Sequence, residues 1–347
     1  MAVGAGSNMG HGSYIGLARE VTYGTYVTGT AGINYLSASL KVTKETKILE
    51  EIQKSRTNSN FIQLGRTIEG DIEFYWAPRS AACNYLLQNA FGGGAVTSAT
   101  LAGDTVGAVS FTHTVLINDF NATYSSLSIN HRKGETTTGK IFQYSGLRVN
   151  EFSLSAEIDE ALKASVSLIG QDVSLTTNDV SSSIDASAQV PMSFVNGRFS
   201  VETTSAGLTT TSFWHVQSME FKISNNLNTD GRRIGSDTIQ VLPPGMANFE
   251  LSCQIRFDTS TAYDAMLAGT RLFGEFQFEG DTLTGSTKRE GLKITMPHLR
   301  VTDCGDPEIG GSGELLTSTV TFAVLRDPTA SGAAVTAVVT NGTASYV

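Results

Sequence analysis

Charge is what this chain of 347 residues is short of: Asp, Glu, Lys and Arg make up 16% of it, against about a quarter in ordinary soluble domains. Basic residues are the scarcer kind, 24 Lys and Arg against 33 Asp and Glu, for a formal net charge of -9. Affinity for phosphate comes mainly from Lys and Arg, so this balance argues against nucleic-acid binding and for a surface that repels DNA. Cysteine is also sparse. Cys83, Cys253 and Cys304 are odd in number and far apart, which excludes a disulfide framework and a thiolate metal site and suits a reducing compartment. His11, His113, His131, His215 and His298 have no metal-ligand spacing. There is no G-x-S-x-G elbow and no G-x-x-x-x-G-K-[ST] phosphate loop. No catalytic residue, cofactor or metal is therefore expected, and the chain reads as a non-enzyme.

No run approaches the ~20 apolar residues that span a bilayer. Met1 to Ser13 has neither a basic start nor an apolar stretch, so no signal peptide is expected. The sequons Asn121-Ala-Thr123 and Asn341-Gly-Thr343 carry no weight without one. Trp76 and Trp214 are expected in a core or an interface rather than on a sugar-stacking platform.

What is present is Gly, Ser and Thr, with apolar and polar residues alternating at the period of half-buried strands. The alternation comes in two rounds. Leu36 to Val42 matches Val216 to Ile223, and Thr67-Ile-Glu-Gly-Asp-Ile-Glu-Phe74 matches Ala247 to Phe257. Each match is followed by a short helical segment, Ser80 to Asn89 and Ser260 to Ala268, opened by a serine cap and closed by Gly92 and Gly269. Later, Gly146-Leu-Arg-Val-Asn150 and Ala161 to Gly170 match His298-Leu-Arg-Val-Thr302 and Glu314 to Val324. Order and spacing agree, apart from a Gly/Ala/Thr-rich insertion around Gly92 to Gly107 in the first copy.

These matches predict a mainly β protein of two tandem β-sandwich or barrel domains, each with its own core and one short flanking α-helix. The expected division is 1–172 for the first domain with an N-terminal arm, 173–189 for a Ser/Thr-rich linker, 190–327 for the second domain and 328–347 for a C-terminal tail. That tail is expected to add one edge strand, such as Ala334 to Val339, or to be mobile. The glycine run Gly310 to Gly313 reads as a turn.

Gly16-Leu-Ala-Arg-Glu-Val-Thr-Tyr-Gly-Thr25 resembles the N-terminal signature of phage tail tube proteins. As in that family, a strand, a long polar loop (Lys44 to Arg66), the strand Glu69-Gly-Asp-Ile72 and a helix follow. The resemblance implies a tail-tube-like fold and a structural virion protein, the major tail tube subunit, assembled in the host cytoplasm. Such subunits form stacked rings whose inner wall is a continuous β-barrel of six domains. Two domains per chain imply a trimeric, pseudo-hexameric ring that conducts DNA at ejection without binding it specifically. Further implied partners are the tail terminator, tape measure and distal tail proteins, with no membrane involved; a non-contractile tail fits best.

Electrostatics then nominates lumen-facing acids: Glu69, Asp71, Glu73, Glu151, Glu157, Asp159, Glu160, Glu220, Glu250 and Glu314. Two long loops are candidates for contacts between rings, through Glu50, Glu51, Lys54 and Arg56 in one and Asp230, Arg232 and Arg233 in the other. The alternatives are a secreted or surface adhesin or carbohydrate-binding module, and another virion part such as a tail terminator or decoration protein. The first would call for a secretory signal and exposed aromatic platforms.

Overall fold

The computed structural model of the chain describes residues 10–52, 54–104, 107–118, 124–134, 141–185, 189–208, 214–307, 315–328 and 333–346. The period-2 pattern is realised as 18 strands, and the protein is mainly β with two α-helices among the described residues. In chain order these are β1 (Tyr14–Arg19), β2 (Ala31–Ile33), β3 (Tyr35–Ala38), β4 (Lys41–Leu49), β5 (Asn60–Tyr75), α1 (Ala81–Ala90), β6 (Val96–Thr100), β7 (Phe111–Leu116), β8 (Leu127–Arg132), β9 (Ile141–Glu157), β10 (Lys163–Gly170) and β11 (Asp172–Thr176). Then come β12 (Gly197–Glu202), β13 (Val216–Ser224), β14 (Asn248–Arg256), α2 (Thr261–Ala268), β15 (Leu272–Thr282), β16 (Arg289–Cys304), β17 (Thr317–Val324) and β18 (Thr336–Asn341).

All the ladders between these strands are antiparallel. One run crosses the whole chain: β3 and β4, end to end, pair with β5, then β10, the second half of β9, β13, β14, β17 and the end of β16 follow. The other strands make two further runs, β2–β1–β8–β9–β11 through the first half of β9 and β12–β15–β16–β18–β7–β6 through the first half of β16. Helix α1 packs on β1, β2 and β9, and α2 on β16.

The pairings of the second half retrace those of the first. β1–β8–β9–β10–β5–β3 is one ladder, and β12–β15–β16–β17–β14–β13 is the other. Even the irregularities recur. The register slips between Val149 and Glu151 opposite Leu168 and Ser167, and again between Val301 and Asp303 opposite Phe322 and Thr321. It slips between Tyr35 and Ser37 opposite Phe74 and Glu73, and again between Val216 and Ser218 opposite Ile255 and Gln254. A bulge bends and twists its strand locally, so a shared bulge places the flanking residues equivalently.

Three expectations need correction. The halves do not bury separate cores: Phe74, Trp76 and Phe152 belong to one cluster with Phe221, Phe276 and Phe322. The reason is the β9–β13 ladder, which makes the two apolar sheet faces continuous. The C-terminal strand is not at an edge. β18 lies between β16 and β7, tying the end of the chain into both halves, and Tyr346 is buried with its hydroxyl donating to the Asn84 carbonyl at 3.0 Å. The 173–189 stretch begins in a strand, since Val173 to Thr176 continue β11 against β9. Gln189 then donates from Nε2 to the Gly32 carbonyl at 2.6 Å.

Helix ends follow local chemistry. Ser80 Oγ accepts the Cys83 amide at 3.4 Å, a side-chain cap for an orphan N–H. Ser260 precedes α2, but its hydroxyl turns to Asp264 Oδ2 at 2.8 Å. Gly269 closes α2 with φ +57°, the left-handed position that favours glycine.

The N-terminal signature has a structural task. Glu20 is buried, and its carboxylate accepts the Gly24 amide at 2.9 Å, the Gly146 amide at 2.8 Å, the Ser128 hydroxyl at 2.7 Å and the Ser126 hydroxyl. One side chain thus fixes the Thr22 to Thr25 turn, β8 and β9 relative to one another.

Candidate functional site

Directly opposed residues of an antiparallel ladder project to the same face, so the register of the long run sorts its side chains. On one face lie Ile72, Phe74, Val166, Phe152, Phe221, Leu251 and Val320, all buried. On the other, Glu69, Asp71 and Glu73 of β5 stand opposite Ile169, Ser167 and Ser165 of β10. Ser167 and Ser165 stand opposite Glu151 and Ser153 of β9. Glu151, Ser153, Ser155 and Glu157 meet Ser224, Lys222, Glu220 and Ser218 of β13. Lys222 and Glu220 meet Glu250 and Ser252 of β14, and Ser252 meets Thr321 of β17, itself opposite Asp303.

This is a single polar face of Ser, Thr and carboxylates that runs unbroken through both halves. It gathers seven of the ten nominated acids: Glu69, Asp71, Glu73, Glu151, Glu157, Glu220 and Glu250. Asp159 and Glu160 sit instead in the exposed turn from β9 to β10, Asp159 with φ +67° and Glu160 within 4.0 Å of Lys163 Nζ. Glu314 lies outside the described residues, as do Gly310 to Gly313 and the sequon at Asn121.

The sequence reading passed over the basic residues that the register puts on the same face. Lys41 is 3.9 Å from Glu69, and Lys222 is 2.9 Å from Glu151; Lys163 and Arg256 also lie there. The hydrogen bond to Glu151 is the first cause that raises the Lys222 pKa above its ordinary value, and the charges of Glu151, Glu220 and Glu250 add to it. Acids still outnumber bases. Asp303 was also passed over, and the parity of the alternation from Glu250 through Thr321 would have found it.

The two nominated loops behave differently. Residues 50–52 and 54–59 lie at the exposed tip of the β4–β5 hairpin, where Glu50, Lys54 and Arg56 project and Glu51 accepts Asn60 Nδ2 at 2.8 Å. Apolar groups on this arm are bare as well, with Ile48 61% and Phe61 62% exposed. The segment between β13 and β14 folds back on the first half. Arg232 donates to the Arg66 carbonyl at 3.0 Å and to Thr67 Oγ1 at 2.7 Å, while Asp230 and Arg233 remain exposed. Leu227, Ile239 and Leu242 pack with Tyr124, Tyr23 and Ile169. Buried Arg148, stacked 5.0 Å from the Tyr23 ring and 4.6 Å from the Tyr124 ring, donates to the carbonyls of Leu242 and Tyr124.

Cys83, Cys253 and Cys304 are free and buried, and no group of His, Cys, Asp and Glu among the described residues is arranged to hold a metal ion. No helix among them is long and apolar enough to cross a membrane. The model of one family, described as phage tail tube protein, matches residues 10–324. No curated protein sequence matches the chain significantly.

Proposed function

The chain belongs to the phage tail tube protein family, and from that premise we propose that it is the major tail tube subunit, with three chains closing a pseudo-hexameric ring and rings stacking into the DNA conduit of the tail. The observation that carries this reading is the polar face of the long strand run. It spans both halves without a break, is built mainly of hydroxyls and carboxylates with fewer bases than acids, and lies on a sheet whose two ends stay unpaired among the described residues.

In this reading the twice-repeated ladder is a tandem pair of tail tube domains, residues 1–172 and 190–327, and six of them surround the lumen. A closed ring requires the same head-to-tail contact at each step and leaves no exposed sheet edge. The polar face lines the lumen. An acidic wall repels phosphate and offers few cations to replace counter-ions, so DNA slides without being held. The role is structural, with no catalysis, in the virion tail after assembly in the host cytoplasm; the tail terminator, tape measure and distal tail proteins are its neighbours there.

Negative-stain electron microscopy of the purified protein, with class averages viewed down the long axis, tests this. Hollow rings or tubes with threefold symmetry close to sixfold are expected. A protein that stays monomeric at high concentration overturns the reading.

A further inference from the structure

The contact between the halves of one chain has a counterpart whose two sides are present but unjoined. β9 pairs with β13 from Glu157 opposite Ser218 to Glu151 opposite Ser224, and Lys222 bridges to Glu151 at 2.9 Å. The shared bulges make β16 the equivalent of β9, with Asp303 in the place of Glu151, and make β3–β4 the equivalent of β13, with Lys41 and Val42 in the places of Lys222 and Ile223. No strand among the described residues pairs with Asp303–Pro307 on the side away from β17, or with β4 on the side away from β5.

The backbone confirms that these edges are open to a partner. Ser39 donates its amide to the Asp71 carbonyl at 2.9 Å and Gly305 to the Thr319 carbonyl at 2.9 Å. Ladder hydrogen bonds alternate along an antiparallel strand, so the N–H and C=O groups of Val42 and Cys304 point outward. Ile223 is fully buried in its seam, whereas Val42 is 42% exposed.

A second observation points the same way. In the first half, the space between Thr67, Asn150 and Ile169 is filled by the segment that joins β13 to β14. The equivalent position in the second half, beside Asn248, Thr302 and Ala323, opens onto a groove of about 950 Å³ that Tyr124, Asn225 and Met246 also line. The segment equivalent to the filler is the β4–β5 arm, which stands away from its own chain with Ile48 and Phe61 bare.

We propose that these surfaces meet between copies. The β4 edge of one copy pairs antiparallel with the end of β16 in the next, Val42 opposite Cys304 and Thr43 opposite Asp303. Lys41 bridges to Asp303 as Lys222 does to Glu151, and the β4–β5 arm fills the groove beside Ala323. This rests on the ring reading and adds to it the register of the seam and the occupant of the groove.

The test is cross-linking between two differently tagged variants, Thr43→Cys and Asp303→Cys, each also carrying Cys304→Ser so that Cys83 and Cys253, both buried, are the remaining native thiols, co-expressed and then mildly oxidised. Thr43 and Asp303 form a non-hydrogen-bonded pair in this register, which brings Cα atoms to about 4.5 Å, within disulfide reach. A disulfide-linked heterodimer is expected from the pair, and none from either variant alone or from Lys163→Cys with Asp303→Cys. Intact rings in the oxidised sample without the cross-link overturn this seam and leave the ring reading standing. A wild-type protein that forms no ring overturns both.

Discussion

The Gly146 amide donates to the Glu20 carboxylate across 2.8 Å, from a residue held at φ +67°. A Cβ at Gly146 would meet Gln171 Cβ at 2.6 Å, so the position needs glycine for both its dihedral and its surroundings. Glu20 is 3% exposed and takes three more donors besides Gly146. Glu20→Ala strands these buried groups, each at a cost of about 1–3 kcal/mol, and is expected to lower stability by about 3 kcal/mol or more. Denaturant unfolding checks this; a loss within experimental error would deny Glu20 its organising role.

His131 ties stability to pH. Burial first, and then the charge of Lys133, hold its pKa down at about 4 against an ordinary 6.5. Between those values the unfolded chain takes up a proton that the folded chain refuses. Stability therefore falls as pH drops from 6.5 to 4, by at most about 3 kcal/mol. His131→Phe, which keeps a ring against Tyr35 and removes a buried Nδ1 that lacks a partner, should flatten the fall. Unfolding midpoints measured every half pH unit would reveal an unchanged slope if another group were responsible.

Arg148 fastens the segment from Asn225 to Gly245 through the Leu242 carbonyl. Arg148→Met keeps the apolar stem between Tyr23 and Tyr124 but loses the donors. Faster proteolytic cleavage within residues 228–241 is expected, together with a stability loss of about 2 kcal/mol. Protection equal to that of the wild type would show that Leu227 and Ile239 hold the segment unaided.

The polar face makes an electrostatic prediction. Asp71→Lys with Glu220→Lys replaces exposed acids on two strands without touching the buried face. Tubes should still assemble, yet retain DNA at low salt at least about tenfold more than wild-type tubes, and release it as salt rises. Retention equal to wild type in filter binding would place this face elsewhere than the lumen.

Much of this was legible in the sequence, because strand parity survives translation into structure. Glu69, Asp71 and Glu73 alternate with Ile68, Ile72 and Phe74, and the same parity recurs at Glu250 with Leu251 and Cys253. Local signals also placed both helices. Asp159 and Glu160 lie in a turn off the strand face, and an acidic turn has the same composition as an acidic strand. What no local pattern carries is pairing across the chain. That β18 would insert between β16 and β7, or that Arg148 would meet Leu242, depends on which edges the rest of the fold leaves open. Lys41 and Asp303 were overlooked for the same reason: each is unremarkable alone, and their relation emerges only from the register of β9 with β13.

Phe61 separates assembly from folding. Its ring is 62% exposed on the β4–β5 arm, opposite Ile48 in the hairpin, so the single chain gains little from burying it. Burying such a side chain fully contributes about 1.5–3 kcal/mol, and in the proposed seam that contribution arises only when the arm enters the neighbouring groove. Phe61→Asp removes it and adds a charge that would have to be desolvated there. The melting temperature of the unassembled protein should therefore stay within about a degree of wild type, while the concentration needed for rings rises at least about tenfold. Sedimentation velocity across a dilution series measures the second quantity and thermal denaturation at low concentration the first. Unchanged assembly would show that the arm does not enter the groove, whereas a lowered melting temperature would show that Phe61 belongs to the core of its own chain.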